Sequence, residues 1–312
     1  MEKFILTTTL NPAVDKTVYV SGFKIGYDFR EIDSRIDAGG KGINVSKVLR
    51  LLRVPAMATG FTGGPDGYFI KQELTGKKIN FNFVTIKGNS RTSTTYIDTE
   101  SNRITRVIGK GPTVTDRELT AFSNKYQRLL KHSAYTVLSG RNISGAPEDY
   151  YAWLVQKSRR NNIPVILDTS GKSFFNAVKK NPWMIKPNIE EAQELLQDRL
   201  DSIRKMKSAL ECFYNLGVKI IALTLAGRGS IVYNGRDFYQ ITVPRVKSRS
   251  PVGCGDSFIA GFLSAVYKKK TLIDAITTAS ACGTANAMTI GPGVIKPGCI
   301  KDIKQHIKIK MI

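Results

Sequence analysis

Short apolar runs and helical stripes follow one another along most of this chain of 312 residues. Residues 4–10 and 219–225 are apolar runs typical of buried strands, whereas residues 42–53 and 255–267 place apolar side chains at helical spacing. Strands that alternate with helices predict a mostly parallel sheet covered by helices on both faces. The pattern therefore predicts an α/β protein, which at this length is one large domain or two smaller ones.

Two segments interrupt this alternation of strands and helices. Residues 16–36 and 91–107 are rich in Val, Ile, Thr and Tyr, and their apolar and polar positions alternate, which predicts two β-hairpins. The hairpins are expected to form a small sheet separate from the main one. We interpret this sheet as a lid over a cleft, and the alternative is an additional edge sheet.

The composition narrows the classes to which the protein can belong. Hydrophobic residues make up 42% and charged residues 23%, as in globular proteins with a full core. No apolar run approaches the roughly 18 residues of a membrane span, and the first ten residues do not resemble a secretory signal, so a cytoplasmic protein is expected. The four cysteines lack CxxC spacing, which argues against a zinc cluster or a disulfide scaffold.

The net charge of +22, from 47 Lys and Arg against 25 Asp and Glu, suggests an anionic partner. The basic residues are scattered, however, and neither a zinc finger nor an aromatic-glycine RNA signature is present. Neither a nucleic-acid partner nor a membrane partner is therefore expected. An anionic small substrate would need only a few of these charges, and the remainder has no functional explanation in the sequence.

Residues 251–261 combine a glycine turn with the start of a helix. Gly253 and Gly255 can adopt backbone angles that let consecutive N–H groups point in one direction, and the helix adds its own unpaired N–H groups. This turn, with Cys254 between the glycines, is predicted to bind an anion such as a transferring phosphoryl group. Asp256 follows the turn, either as a helix-start residue or as the base that accepts a proton from a substrate hydroxyl.

A second glycine cluster also opens a helix. Three glycines within four positions, Gly39, Gly40 and Gly42, allow a ligand to approach the backbone closely. Lys41 and Asn44, in the same segment, offer hydrogen-bond donors to hydroxyl or phosphate groups. A glycine-rich segment of this kind is weak evidence when it is considered alone.

Three further polar residues follow predicted strands. Asp15 lies just past the first strand, where open α/β sheets place ligands, and it is either a hydrogen-bond acceptor for sugar hydroxyls or a turn residue. Asn188 and Glu191 have the spacing to hold Mg²⁺ through its water molecules, or to form the capping box of a helix. Neither P-loop spacing nor a Gly-x-Gly-x-x-Gly motif is found, so any ATP chemistry requires another design.

Five motifs carry a resemblance to a known family, and they stand in the same order as in that family. They are residues 9–15 (TLNPAVD), 39–45 (GGKGINV), 60–64 (GFTGG), 186–191 (KPNIEE) and 252–257 (VGCGDS). With them the chain resembles the ribokinase-like (PfkB) carbohydrate kinases, in particular the branch of 1-phosphofructokinases and tagatose-6-phosphate kinases. The resemblance extends from Thr9 to Gly291.

The resemblance implies a single domain formed by residues 1–312, with a ribokinase-like three-layer α/β/α fold and a β-sheet lid, and ATP and Mg²⁺ as cofactors. Asp256 corresponds to the catalytic base of the family, and the backbone of residues 253–256 corresponds to its anion hole. The positions that match substrate-binding residues are Asp15, Gly39, Gly40, Lys41, Asn44, Arg91, Arg106 and Ser139. Those that match the nucleotide site are Asn188, Thr224, Ala226, Gly227, Gly229, Gly283 and Asn286, and Glu191 with Asn188 matches the Mg²⁺ signature.

The chain departs from the family pattern at a few positions. Ala226 stands where Gly is usual, Cys254 where Ala or Ser is usual, and Ser93 where Asn is frequent. Residues 141–144 replace a turn rich in Leu and Pro. These departures leave the expected phosphoryl-transfer residues in place, but they affect the side of the site that selects the sugar phosphate.

The resemblance also implies a function. We expect an ATP-dependent ketohexose-phosphate kinase, in the first place a 1-phosphofructokinase that converts fructose 1-phosphate to fructose 1,6-bisphosphate. Tagatose-6-phosphate kinase and 6-phosphofructokinase are the alternatives within this class, and an inactive sugar-phosphate sensor is the alternative from another class. A homodimer that associates through the lid is expected on the same basis.

Overall fold

Residues 2–312 are described by a computed structural model in which strands and helices alternate for most of the chain. The strands are β1 (Phe4–Thr9), β2 (Ala13–Val20), β3 (Asp33–Gly39), β4 (Ala56–Gly63), β5 (Asn80–Phe81), β6 (Val84–Ile86), β7 (Arg91–Asp98), β8 (Ile104–Ile108), β9 (Ser133–Ser139), β10 (Val165–Asp168), β11 (Met184–Ile185), β12 (Ile220–Thr224), β13 (Ser230–Tyr233), β14 (Phe238–Thr242) and β15 (Lys308–Met311). The α-helices are α1 (Lys41–Leu51), α2 (Gly64–Gly76), α3 (Asp116–Leu130), α4 (Tyr150–Arg160), α5 (Gly171–Val178), α6 (Ile189–Leu196), α7 (Ile203–Asn215), α8 (Cys254–Tyr267), α9 (Leu272–Ala287) and α10 (Cys299–Gln305).

The main sheet has the strand order β15-β14-β13-β12-β11-β10-β9-β1-β4-β5, and β6 also pairs with β4. The central strands, from β4 through β1, β9, β10 and β11 to β12, are parallel. Strands β13, β14 and β15 extend one edge of the sheet in antiparallel pairs. The carboxyl ends of the parallel strands therefore lie at one edge of the sheet, where open α/β sheets bind ligands.

Each face of the main sheet has its own hydrophobic core. Leu6 of β1 packs in a cluster that includes side chains of α3, α4, α5, α6 and α7. Its neighbour Ile5 packs in a second cluster, with side chains of α1, α8, α9 and α10. Because successive residues of a strand point to opposite faces, the two clusters lie on either side of the sheet. The predicted three-layer α/β/α architecture is therefore confirmed.

Four strands form a separate sheet in the order β3-β2-β7-β8, which we call the lid sheet. Strands β2 and β3 are antiparallel, β7 and β8 are antiparallel, and the parallel pair of β2 and β7 joins the two hairpins. The predicted hairpins at residues 16–36 and 91–107 are thus present. Val14 and Ala38 anchor the lid sheet in a cluster with Ile70 and Leu74 of α2.

The sequence pattern does not predict the short strands β5 and β6, the helices α5 and α10, or the strand β15. The helix α5 has only eight residues, and its N-cap residue Ser170 makes no side-chain hydrogen bond to the helix. The helix α10 is shorter still, with seven residues. The strand β15 resembles a charged tail in sequence, yet it pairs with β14, and Lys308 and Lys310 remain exposed on it, as is common for edge strands.

The lengths of the helices bear on whether any of them could cross a membrane. The longest helix of residues 2–312, α9, has 16 residues. None of the helices in this part of the chain combines the length and the apolar character that a membrane-crossing helix requires.

Candidate active site

Asp256 lies in the first turn of α8, and its side chain is buried. Asn44 of α1 donates a hydrogen bond from Nδ2 to Oδ2 of Asp256, with a distance of 2.8 Å. Burial, and after it the nearby charge of Asp168, raises the pKa of Asp256 to about 6, although two lysine side chains partly oppose this change. Such a carboxylate is mostly ionised at pH 7 and is basic enough to accept a proton in catalysis.

Asp168, at the end of β10, lies between two lysine side chains. Its Oδ1 is 3.3 Å from Nζ of Lys41 and 3.3 Å from Nζ of Lys186. Burial acts to raise the pKa of Asp168, but the two ammonium groups outweigh it and hold the pKa below its usual range. The other oxygen, Oδ2, is buried and has no hydrogen-bond partner among residues 2–312. It is therefore free to accept a bond from a ligand or an ion.

Neither Asp168 nor Lys186 is among the residues predicted from the sequence. The signal that could have found Asp168 is its place at the carboxyl end of a buried parallel strand, next to Ser139 in the register of β9 and β10. Lys186 follows β11, the next strand of the sheet. Only the strand order shows that these positions are neighbours, and strand order is not apparent from hydrophobic periodicity.

The turn that precedes α8 has little free space. Gly253 has a φ of 85°, a conformation that favours glycine. A Cβ at Gly253 would lie 2.7 Å from Cα of Pro292, and a Cβ at Gly255 would lie 3.0 Å from Nζ of Lys186. The ammonium group of Lys186 thus adds positive charge beside the N–H groups at the start of α8. This arrangement can bind an anion next to the Asp256 carboxylate.

Cys254 and Gly283 meet where α8 begins. A Cβ at Gly283 would lie 3.2 Å from the carbonyl oxygen of Cys254, so the glycine allows α9 to approach the turn. Burial raises the pKa of the Cys254 thiol to about 11. The thiol is therefore protonated at neutral pH, which argues against a nucleophilic role.

Asn286 supports the same turn from within α9. Its side chain is fully buried, and Nδ2 donates a hydrogen bond of 2.8 Å to the carbonyl oxygen of Val252. Oδ1 accepts hydrogen bonds from Oγ of Ser257 at 2.9 Å and from the N–H of Gly293 at 3.0 Å. The protein itself thus satisfies both polar atoms of the amide. The contact between Asn286 and a nucleotide stays a prediction, and its observed contacts are those of a support for the turn.

Asn188 and Glu191 form the capping box at the start of α6. Oδ1 of Asn188 accepts a hydrogen bond from the N–H of Glu191 at 2.7 Å, and Oε2 of Glu191 accepts one from the N–H of Asn188 at 2.9 Å. Oε1 of Glu191 lies 3.8 Å from Nζ of Lys41. The helix-capping alternative is thus realised, and Oε1 still faces the buried charges around Asp168.

The lid sheet brings Asp15 towards the start of α1. A Cβ at Gly39 would overlap the Asp15 carboxylate, so only glycine fits there, and Gly40 caps α1 with a φ of 120°. Burial raises the pKa of Asp15, while the positive charges of Lys47, Arg106 and Arg91 oppose this change. A carboxylate held in this way can accept hydrogen bonds from substrate hydroxyls.

Arg91 and Arg106 come from neighbouring strands of the lid sheet, β7 and β8. Arg91 donates hydrogen bonds to the carbonyl oxygens of Asn11, at 3.2 Å, and Gly109, at 3.3 Å. Burial lowers the pKa of Arg91, and the positive charges of Arg141 and Arg106 add to this effect, whereas Asp15 opposes it. The positive charges around Arg91 therefore outnumber the negative ones, which suits a substrate that carries a phosphate group.

Ser139 ends β9 at the same edge of the main sheet. Its hydroxyl is buried and has no hydrogen-bond partner in the described part of the chain. A buried polar atom without a partner is destabilising unless a ligand or water satisfies it. The role of Ser139 as a ligand of the substrate stays a prediction.

The predicted nucleotide loop follows β12. Thr224 is bound to Pro187 through its N–H, at 3.0 Å, and through its hydroxyl, at 3.3 Å, so it lies beside the Asn188 segment. Residues 226–228 form an exposed turn of 3₁₀-helix, in which Ala226 has a φ of 52°. Gly227 has open space around it, and Gly229 has a φ of 95° against β14. The loop is thus accessible to a ligand on one side.

Replacing Ala226 with glycine is expected to raise the free energy of unfolding by up to about 1 kcal/mol. Alanine in the left-handed region costs roughly 1–2 kcal/mol, part of which the greater freedom of glycine in the unfolded chain offsets. Denaturant titration would measure the difference. Ala222→Gly, in the extended and buried strand β12, is the matched control and should destabilise the protein. Equal effects of the two variants would contradict the strain at Ala226.

An anion-binding turn beside a buried base suits phosphoryl transfer to a hydroxyl group, which depends on positioning and on stabilisation of charge. The fold and this site are compatible with a kinase that acts on a small molecule. A profile of the pfkB family of carbohydrate kinases matches residues 8–297. The chain therefore belongs to the pfkB family, whose members are ATP-dependent sugar kinases.

Several solved structures are similar over the whole chain. A phosphofructokinase candidate from Staphylococcus aureus is 26% identical, with a TM-score of 0.85 and coverage of 99% of both chains. A candidate 1-phosphofructokinase from Thermotoga maritima is 24% identical, with a TM-score of 0.87 and coverage of 99% of both chains. Phosphofructokinase-2 from Escherichia coli, in complex with fructose-6-phosphate, is 21% identical, with a TM-score of 0.89 and coverage of 98% of this chain and 99% of the other.

Proposed function

We propose that the protein is an ATP-dependent ketohexose-phosphate kinase that converts fructose 1-phosphate to fructose 1,6-bisphosphate. The observation that carries this proposal is the start of α1, which links three carboxylates of the site. Gly39 faces the Asp15 carboxylate, Lys41 pairs with Asp168, and Asn44 binds Asp256. A substrate held at Asp15 would therefore lie within reach of the buried base.

Asp256 would accept the proton of the sugar hydroxyl as that oxygen attacks the γ-phosphoryl group. The N–H groups at the start of α8 and the ammonium group of Lys186 would bind the phosphoryl oxygens. Contacts within the fold would hold these donors, so they would stabilise developing charge with little reorganisation. Asn44 donates to one oxygen of Asp256 and would leave the other oxygen for the acceptor hydroxyl.

Mg²⁺, when bound with ATP, would neutralise charge on the phosphate oxygens. Asn188 and Glu191 would hold the ion through water molecules, and the unpartnered Oδ2 of Asp168 is a further oxygen donor of the kind that Mg²⁺ prefers. No group of three or more His, Cys, Asp or Glu side chains within residues 2–312 could hold a metal ion alone. The donors present therefore fit an ion that shares its coordination with the nucleotide.

The nucleotide would lie between the exposed turn at residues 226–228 and the start of α8. Thr224, Ala226, Gly227 and Gly229 would contact it from the loop, and Gly283 from α9. The lid sheet would close over the sugar phosphate and exclude water, which would otherwise accept the phosphoryl group. Arg91, Arg106 and Ser139 would bind the phosphate group already present on the substrate.

The substrate proposal is tested with a panel of sugar phosphates in an assay that couples ADP release to NADH oxidation. Fructose 1-phosphate is expected to give the highest kcat/KM among fructose 1-phosphate, tagatose 6-phosphate and fructose 6-phosphate. A higher value for either of the other two would replace the proposed substrate with that one. Equally feeble turnover of all three would overturn the assignment to ketohexose phosphates.

We also propose that two copies of the chain associate through the lid sheet. Large apolar side chains are exposed on its strands and on the loop between β2 and β3, including Ile25 at 96%, Tyr27 at 72% and Val107 at 59%. Exposed apolar side chains that form a contiguous patch commonly mark an interface. Light scattering after size exclusion should give twice the chain mass of 34.5 kDa. Ile25→Asp should yield a monomer, and a wild-type monomer at micromolar concentration would contradict the proposal.

A further inference from the structure

Arg35 of β3 joins the lid sheet to a turn that is distant in sequence. Its Nη1 donates a hydrogen bond of 3.1 Å to the carbonyl oxygen of Ile290, just after α9. A Cβ at Gly291, which has a φ of 95°, would lie 3.3 Å from Cζ of Arg35. The guanidinium group is itself fixed by Asp37, at 2.6 Å from Nε and 2.7 Å from Nη2. This two-point contact leaves Nη1 directed at the turn.

The same turn, residues 290–293, contacts the anion-binding turn on its other side. Pro292 occupies the space beside Gly253, where a Cβ would come within 2.7 Å of it. The N–H of Gly293 binds Asn286, and a Cβ at Gly293 would lie 2.9 Å from the carbonyl oxygen of Asn44. The turn therefore touches the residues that shape the anion site and hold Asp256.

We propose that Arg35 is a positioning residue that transmits the position of the lid sheet to the anion-binding turn. A sugar phosphate under the lid would be held by Asp15, which is paired with Asp37 in the register of β2 and β3. Through Arg35, the same strand holds residues 290–293 against Gly253. When the lid sheet covers a ligand, it thus also holds the N–H groups at the start of α8, which would bind the phosphoryl group. As far as turnover is concerned, this inference rests on the proposed function.

The distinguishing variant is Arg35→Lys. A lysine can still pair with Asp37, but a single ammonium group lacks the planar fork that binds the carboxylate at two points and the Ile290 carbonyl as well. Arg35→Met removes both contacts. Arg103→Met is the matched control, because Arg103 is an exposed arginine in the lid sheet's β7–β8 turn and makes no ion pair among residues 2–312.

Hydrogen exchange followed by mass spectrometry is the first measurement, and it needs no substrate. Arg35→Lys and Arg35→Met are expected to speed exchange about tenfold in the peptides that cover residues 249–258 and 289–294. Arg103→Met should exchange there as the wild type does. Wild-type protection of both peptides in Arg35→Lys would overturn the proposal, whatever the enzyme's substrate proves to be.

Steady-state kinetics with the best sugar phosphate of the panel is the second measurement. Both Arg35 variants are expected to lower kcat about tenfold and to change the KM for the sugar phosphate less than twofold. A change in KM alone would show that Arg35 acts only on substrate binding, and this would overturn the positioning role. Should wild-type turnover be absent with every sugar phosphate, the proposed function fails, and the exchange result alone decides on Arg35.

Discussion

Asp256→Asn is expected to lower kcat by roughly 10³-fold, because general-base catalysis typically contributes 10²–10⁴-fold. Asparagine has nearly the same shape, and it can retain the hydrogen bond with Asn44 after rotation of one amide, but it cannot accept the hydroxyl proton. The KM or Kd for the sugar phosphate should change only a few-fold, because Asp15, Arg91 and Ser139 are untouched. Turnover by the coupled assay and binding by calorimetry would measure the two effects.

Asp149→Asn is the matched control for this substitution, since Asp149 is exposed at the start of α4 and its side chain caps nothing. It should leave both kcat and affinity unchanged. Near-normal turnover of Asp256→Asn would remove Asp256 as the base. A wild-type protein that binds a sugar phosphate but shows no turnover would instead favour the sensor alternative.

Asp168→Asn is expected to lower the free energy of unfolding by roughly 3–5 kcal/mol, because removal of one partner leaves a buried charge without compensation. The pair with Lys186 dominates, since the two side chains are only 1% and 5% exposed. Lys41 is 37% exposed, so its pair with Asp168 contributes less. Urea titration would measure the loss. Asp198→Asn, which breaks an exposed pair with Lys205, is the control and should have little effect.

The same variant should also change the pH dependence of turnover. In the wild type, activity is expected to fall as the pH drops below about 6, because Asp256 becomes protonated there. The negative charge of Asp168 contributes to this raised pKa, so its removal should lower the pKa of Asp256 and move the acidic limb to lower pH. An acidic limb that does not move in Asp168→Asn would show that Asp168 does not act on Asp256.

The parts of the site that the sequence predicts are those formed within one continuous segment. The turn at residues 253–256 is recognisable because its two glycines and the following helix start are contiguous. The lid hairpins are recognisable because apolar and polar positions alternate over residues 16–36 and 91–107, unlike in the strand–helix segments around them. In both cases the local pattern alone determines the local structure.

The parts that the sequence does not predict depend on packing between distant segments. Asp168 and Lys186 become partners because β10 and β11 are adjacent in the sheet, which no periodicity shows. Likewise, Arg35 lies 255 positions from Ile290 along the chain, and only the fold brings them together. For Asn188 the sequence leaves two alternatives open, since a capping box and a metal site use the same two residue types at the same spacing.

The glycines around the site have a consequence for how such an enzyme can diverge. Any side chain at Gly39 would displace the Asp15 carboxylate, and any at Gly253 would displace Pro292. Substitutions at these two glycines would therefore lower the catalytic rate before they changed which substrate is bound. Arg141, by contrast, is exposed, so a substitution there would change the charge around Arg91 without displacing packed atoms. We therefore expect related enzymes to change their sugar-phosphate substrate through substitutions at exposed residues such as Arg141, while Gly39 and Gly253 are retained.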